Sequence, residues 1–513
     1  MKLKLSVLAS VLLPTMLLAR HNNEVTTKPL IFENSGQYLH NLDPLYTTGQ
    51  EPSSPIETTA LSRVESFING AQQSLTMELY ELRHPRLKDA IIKALERGVR
   101  VRIVMEPDPV GGGCDGFSKV SADQGPHCQE SQEFSARFLA ASSAQRSSRH
   151  RLDSGLRFFN KQLCKDTESG KEGFCFQHGK LMIRDHDSFL LSSGNFNESN
   201  LCTGDNLDKN SCYRDLSVVI EDSQAAKGLE EVVELDYSVS SECNTDLRFQ
   251  TRYGFFRKPS KGRCAASDQM VDVESHNNKI SKIIKKFGIQ KYITVNPLKS
   301  SSLSEFFKLA KKSIRIQTQY IKQQEWQDTL IEAMKNKVKV YLTLPSFCHF
   351  IQKDYGVGFL DVNTVKGKYG SYSRWIEPYE QAGKDLFSFR VFNKGIPDLD
   401  GSPMGYQHAK LVIVDDTVAW LGSTNGSLTS TNFNREFGII FDNPEVVSYL
   451  VNIAKRDHMM GMTLEEHIPN IHSLDYSMWI RTPGTCKIYD KKELLNRKRK
   501  NDQDQGNAKR LKP

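Results

Sequence analysis

Two copies of one pattern run through this chain, and that duplication constrains its fold more than any other feature. Ala71-Gln-Gln-Ser74-Leu75-Thr-Met77 returns as Ala310-Lys-Lys-Ser313-Ile314-Arg-Ile316, and Val99-Arg-Val101-Arg-Ile103 returns at the same separation as Val338-Lys-Val340-Tyr-Leu342. Arg157-Phe-Phe159-Asn160-Lys161 matches Arg390-Val-Phe392-Asn393-Lys394, and Gln177-His178-Gly-Lys180-Leu181 matches Gln407-His408-Ala-Lys410-Leu411, at slightly shorter separations. Four matches in one order argue for a repeated supersecondary unit in which only loop lengths have changed. Each copy reads helix, alternating strand, helix, alternating strand, which predicts βα units on a parallel or mixed sheet. A length of 513 residues exceeds what one hydrophobic core ordinarily serves. The expectation is two homologous α/β domains, each a sheet flanked by helices, at residues 20–256 and 291–480. Residues 257–290 read as a connector and 481–513 as a basic tail.

The ends and the cysteines speak to location. Residues 1–19 carry Lys2 and Lys4, an apolar run from Leu5 to Leu18 and then Ala19, the pattern of a secretory signal peptide. An uncleaved anchor is the competing reading, and the run is short for crossing a bilayer. Ten cysteines fit an oxidising compartment, so the chain is expected to be secreted or periplasmic, with neighbours such as Cys164 and Cys175 or Cys202 and Cys212 paired. No C-x-x-C occurs, which disfavours structural zinc. Of the formal charge of +7, the nine Lys or Arg against three Asp or Glu in 491–513 account for +6, and Lys2 and Lys4 for two more. Residues 20–490 are therefore nearly neutral, which gives no general argument for steering a polyanion. Arg497-Lys-Arg-Lys500 and Lys509-Arg510-Leu-Lys512 resemble a two-part nuclear import signal. Combined with export, that pattern suggests delivery into a host cell; a basic tail touching anionic lipid or nucleic acid is the plainer reading.

The chemistry lies in the fourth match. His178-Gly-Lys180-Leu-Met-Ile-Arg-Asp185 and His408-Ala-Lys410-Leu-Val-Ile-Val-Asp415 each read as a strand entering a turn and returning as a second strand. Positions i and i+2 of a strand share a face, so His178 and Lys180, like His408 and Lys410, are expected to project together. Ser193-Gly-Asn195 and Ser423-Thr-Asn425 follow, and then Tyr213-Arg-Asp215-Leu216 and Asn434-Arg-Glu436-Phe437, the first copy carrying a nine-residue insertion. Two lysines and two amides can bind the nonbridging oxygens of a phosphate. One imidazole can attack phosphorus while the other protonates the departing oxygen, and an acid behind each ring would fix its tautomer. This set requires no metal and no organic cofactor.

The paired His-x-Lys-x4-Asp motifs, with their matched Asn and acidic partners, resemble the phospholipase D superfamily over about residues 60–445. The resemblance implies that the halves pack about a pseudo-twofold so that both motifs share one site, and that a phosphohistidine forms. It implies His178 and His408 as nucleophile and general acid, with His178 favoured as nucleophile. Lys180, Lys410, Asn195 and Asn425, with Ser193 and Ser423, would hold phosphate. Asp185 and Asp415 complete the catalytic motif, mainly structurally, while Asp215 and Glu436 would contact the histidines. The first-choice reaction is phospholipid hydrolysis to phosphatidate and a free head group, with a phospholipid or membrane surface as partner. Nuclease action on nucleic acid, phosphatidyl transfer of the cardiolipin synthase type and non-catalytic phosphate binding are the alternatives.

Other groups carry less. His127, His150, His186 and His349 lack repeated partners, and Met459-Met460 with Met462 reads as filler. The stretch from about 106 to 155, with Gly111-Gly-Gly113 and Arg146, Arg149, His150 and Arg151, is expected to be a substrate-facing lid or a solvated loop.

Overall fold

In the computed structural model the described residues are 30–33, 60–107, 126–147, 153–164, 175–201, 213–242, 270–321, 323–345, 357–360, 385–392, 406–463, 477–482 and 485–490. The expected signal segment, residues 491–513 of the basic tail, Cys202 and Cys212 lie outside them. Two mixed sheets carry the duplication. The first runs Leu30–Glu33, Leu216–Glu221, Ser188–Ser192, Lys180–Arg184, Ser74–Leu79, Arg100–Met105, Gly155–Phe158, Ser241–Glu242. The second runs Ile293–Asn296, Glu436–Phe441, Val418–Gly422, Leu411–Val414, Ser313–Gln317, Lys339–Leu344, Phe387–Val391. Seven strands therefore follow one order twice, and the parallel and antiparallel pairings match strand for strand.

Strand alternation decides where each side chain is buried. Leu181, Ile183, Phe189 and Leu191 join a central cluster together with Leu411, Ile413, Ala419 and Leu421 of the other half. The residues between them point away: Met182 and Leu190 pack with the outer helices Ala60–Asn69 and Pro85–Glu96, and Val412 and Trp420 pack with Gln324–Lys335. Two inner helices complete the central cluster, Ser223–Val239 against the first sheet and Pro444–Met460 against the second. Asp222 starts the first by accepting from the backbone of Gln224 and Ala225, and Asn443 starts the second by accepting from Glu445 and Val446, with Pro444 in the first turn. Helix Val273–Lys286, within the stretch read as connector, buries His276, Ile280 and Ile284.

The stretch expected to be a lid or loop contains a helix, Pro126–Ser147, packed on Pro85–Glu96. Its buried positions Phe134, Ser135, Phe138, Ser142 and Gln145 keep helical spacing, but three of the five are polar. Gln145 donates to the carbonyls of Leu95 (2.6 Å) and Val99 (2.9 Å) and accepts from Ser154 (2.7 Å), so burying its amide is compensated. Hydropathy alone does not register such a face. Cys175 is buried and disulfide-bonded, and the side chain of Cys164, its expected partner, lies outside those described. Among the described residues no helix is long and apolar enough to cross a membrane.

Candidate active site

Both motifs form the hairpins read from sequence: Lys180–Arg184 returns as Ser188–Ser192, and Leu411–Val414 returns as Val418–Gly422. The tight turns place Asp185, His186, Asp415 and Asp416 in the left-handed region, which aspartate tolerates better than most residues. Each motif Asp sits at its turn, at the far end of the strand from the histidine. Asp185 accepts from the backbone N–H groups of Gln72 (2.9 Å), Gln73 (2.7 Å) and Ser74 (2.9 Å), and Asp415 from those of Lys311 (2.8 Å), Lys312 (2.6 Å) and Ser313 (2.8 Å). Their grouping with the catalytic residues is thus corrected: they pin the start of the neighbouring strand and do not reach the histidines. Asp185→Ala is expected to cost ~1–3 kcal/mol in denaturant unfolding through the lost charge-assisted bonds. The activity per folded molecule should stay near wild type.

The histidine ends of these strands meet the other half of the chain. Gln177 bridges in parallel to Arg435, and Tyr406–Gln407 pairs in parallel with Tyr213–Arg214. The His178 N–H donates to the Arg435 carbonyl (2.9 Å), and those of His408 (2.9 Å) and Ala409 (2.7 Å) to that of Arg214. The acids cross over. Glu436 of the second half lies 2.8 Å from Nδ1 of His178, and Asp215 of the first half lies 2.9 and 3.0 Å from Nδ1 of His408. With the acid accepting from Nδ1–H, Nε2 of each ring is left as the reactive nitrogen.

Neither acid depends on its histidine alone. Asp215 also accepts from Ser193 (2.8 Å) and Asn200 (2.6 Å), and Glu436 from Asn434 (2.9 Å) and Ser430. Both are fully buried, which would raise their pKa, yet both stay below the usual carboxylate range, held there by their histidine and a neighbouring lysine. His178 and His408 are each lowered to about 4, chiefly by burial, with both lysines pushing the same way against the acids. Burial likewise lowers Lys180 to about 7 and Lys410 to about 8. Lys410 bears on His178 and Lys180 on His408, so the two half-sites form one electrostatic unit.

The phosphate set expected from sequence is partly revised. Asn195 and Asn425 are buried with their side-chain oxygens unpaired among the described residues; those oxygens accept, so it is the Nδ2–H groups of the two amides that can donate to a phosphate. Ser193 and Ser423 are committed elsewhere. Ser193 spends its hydroxyl on Asp215 and the Leu216 N–H, and Ser423 on the backbone of Phe437. They shape the site rather than face a phosphate. Sequence reading missed the aromatic partners, Tyr80 edge-on to His178 at 4.8 Å and Tyr213 tilted against His408 at 5.5 Å. Both come from the first half, where the matching residues of the second are Gln319 and Asn434, so the repeat carried no signal for them. Among the described residues no three His, Cys, Asp or Glu side chains are grouped to hold a metal ion.

Both half-sites fall inside residues 64–236 and 303–458, the segments matched by the family model described as cardiolipin synthase, PLD-like domain. The chain belongs to this phospholipase D-like family. The likeness read from the paired motifs is borne out, as is the architecture of two α/β halves. Solved structures similar to this phospholipase D-like chain include phosphatidylserine synthase from Haemophilus influenzae, at 13% identity over 79% of this chain and 86% of that one, TM-score 0.48. Polyphosphate kinase from Porphyromonas gingivalis matches at 10% identity over 84% and 50%, TM-score 0.42. Nuc, a phospholipase D family member from Salmonella typhimurium, matches at 18% over 42% and 98%, TM-score 0.24. No curated protein matches the chain significantly.

Proposed function

We propose that this phospholipase D-like chain is a phosphatidyl-transferring enzyme, moving a phosphatidyl group from a phospholipid to an alcohol through a histidine-bound intermediate. The observation that carries the chemistry is the crossed pair of acid–histidine contacts, Glu436 with His178 and Asp215 with His408. The sequence favoured water as the acceptor. The family description, that of a cardiolipin synthase domain, supports an alcohol instead.

In this reading Nε2 of His178 attacks phosphorus and the phosphorus–oxygen bond to the first alcohol breaks. His408, protonated once the anionic phosphate is bound, gives its proton to that oxygen. The acceptor alcohol then attacks phosphorus, loses its proton to His408 and releases Nε2 of His178. His178 is assigned as nucleophile because its Nε2 has no partner among the described residues, whereas Nζ of Lys410 lies 3.1 Å from Nε2 of His408. Lys180, Lys410, Asn195 and Asn425 would hold the nonbridging oxygens.

The pH dependence follows in sign. Since kcat/KM reports the free enzyme, it should fall below about 4 as His178 takes up a proton and loses its lone pair, and decline above about 4 as His408 loses the proton it must donate. It should fall again as pH rises through about 7 and about 8, where Lys180 and Lys410 lose their charge. Lys180→Arg, whose charge is permanent, should move the alkaline limb toward the value for Lys410.

The functional test is a chelator-treated assay of the purified chain on phosphatidylglycerol, phosphatidylcholine and single-stranded DNA, with His178→Ala as the blank. A diphosphatidyl product with release of glycerol is the expected result. Phosphatidate alone would restore the hydrolytic reading, and cleavage of DNA alone would replace both with a nuclease.

A further inference from the structure

Each acid that crosses the interface is preceded by an arginine, and both arginines are buried. Arg214 makes a two-pronged contact with Asp457, Nε at 3.0 Å and Nη2 at 3.1 Å, and Arg435 makes the same contact with Asp236, at 2.7 and 3.2 Å. These pairs also cross between halves, because Asp457 lies on the inner helix Pro444–Met460 and Asp236 on the inner helix Ser223–Val239. Both aspartates are fully buried. A buried carboxylate there is tolerated only with a charged, hydrogen-bonded partner.

The surroundings add to the grip. Arg435 also donates to the Asn296 carbonyl (2.6 Å), and His276 lies 2.6 Å from Asp236. Gln317 (3.0 Å) and Arg456 (3.1 Å) donate to Asp457. Each Arg–acid dipeptide therefore holds the opposite half at three points. The arginine carbonyl takes the histidine N–H, the acid takes the imidazole, and the guanidinium takes the inner helix.

We propose that Arg214 and Arg435 are positioning residues, each setting one histidine–acid pair by tying the acid's strand end to the inner helix of the other half. Arg435 serves His178 and Arg214 serves His408. The inference deepens the phosphoryl-transfer reading of this site and rests on it for its kinetic consequences only. Its structural content is that the two clamps act on different histidines, whereas two plain interface ion pairs would affect both alike.

The test uses the full chain labelled with 15N-histidine, with Arg435→Gln and Arg214→Gln compared by the ring-nitrogen signals that report tautomer and protonation. Arg435→Gln is expected to change the signals of His178 and leave those of His408, and Arg214→Gln the reverse. Each should lower kcat by ~10²-fold, the scale of a misplaced reacting group, with little change in KM. Should the Gln variants not fold, Arg435→Lys and Arg214→Lys keep the charge, lose the fork and carry the same readout. Equal changes at both histidines, or none at either, in a folded variant would overturn the proposal. The ring signals need no substrate, so a wild-type chain without transferase activity would defeat the functional reading and still leave this one decided.

Discussion

His178→Ala and His408→Ala are each expected to lower kcat by roughly 10⁴-fold or more, because nucleophile and general acid act as one unit. The loss should come without unfolding. Removing His178 leaves Glu436 buried, but Asn434 and Ser430 still donate to it, and Asp215 likewise keeps Ser193 and Asn200. A stability cost of about 1–3 kcal/mol, that of one lost partner at a buried charge, is anticipated. The comparison variant is His186→Ala. His186 contacts Glu230 on a partly exposed face, and its loss should leave turnover nearly unchanged. Near-normal turnover in either motif variant would sink the shared-site mechanism.

The second large effect separates the two halves. Glu436→Gln and Asp215→Asn are each expected to reduce kcat by ~10²–10⁴-fold, since an amide in place of the acid no longer selects the reactive tautomer. Because the contacts cross, each variant disables the histidine of the opposite half. A phosphodiester with a p-nitrophenyl leaving group needs no proton on the departing oxygen. It should rescue the bond-breaking step of Asp215→Asn, which impairs His408, and not that of Glu436→Gln, which impairs the nucleophile. The opposite pattern would exchange the roles of the histidines.

The hairpins, the strand–helix alternation and the histidine–lysine–asparagine sets were legible because duplication let each pattern be read against its copy. What escaped falls into physical classes. Helix Pro126–Ser147 escaped because it turns Ser142 and Gln145 inward, where hydropathy expects apolar residues. Ser193 and Ser423 were assigned to phosphate because a hydroxyl's partner is chosen by tertiary packing, and packing gave them to Asp215 and to the Phe437 backbone. The crossing of the acids could not be read either, since spacing tells which residues recur and not which half they face. Arg214 and Arg435 did leave a trace. Each stands directly before its acid, and Asp236 and Asp457 recur at the same spacing from them. An arginine repeated beside an acid reads as an ordinary surface charge until its burial is known.

The central cluster that takes side chains from both sheets and both inner helices has a consequence for how the molecule fails. Neither half owns a complete interior. Parting them would expose the apolar faces of two sheets at once and separate Asp236 from Arg435 and Asp457 from Arg214. The chain should therefore melt as a single calorimetric transition, with catalytic activity disappearing over the same few degrees, and a protease that severs the linker should release no working fragment. Two copies of one unit have become a molecule that cannot be divided.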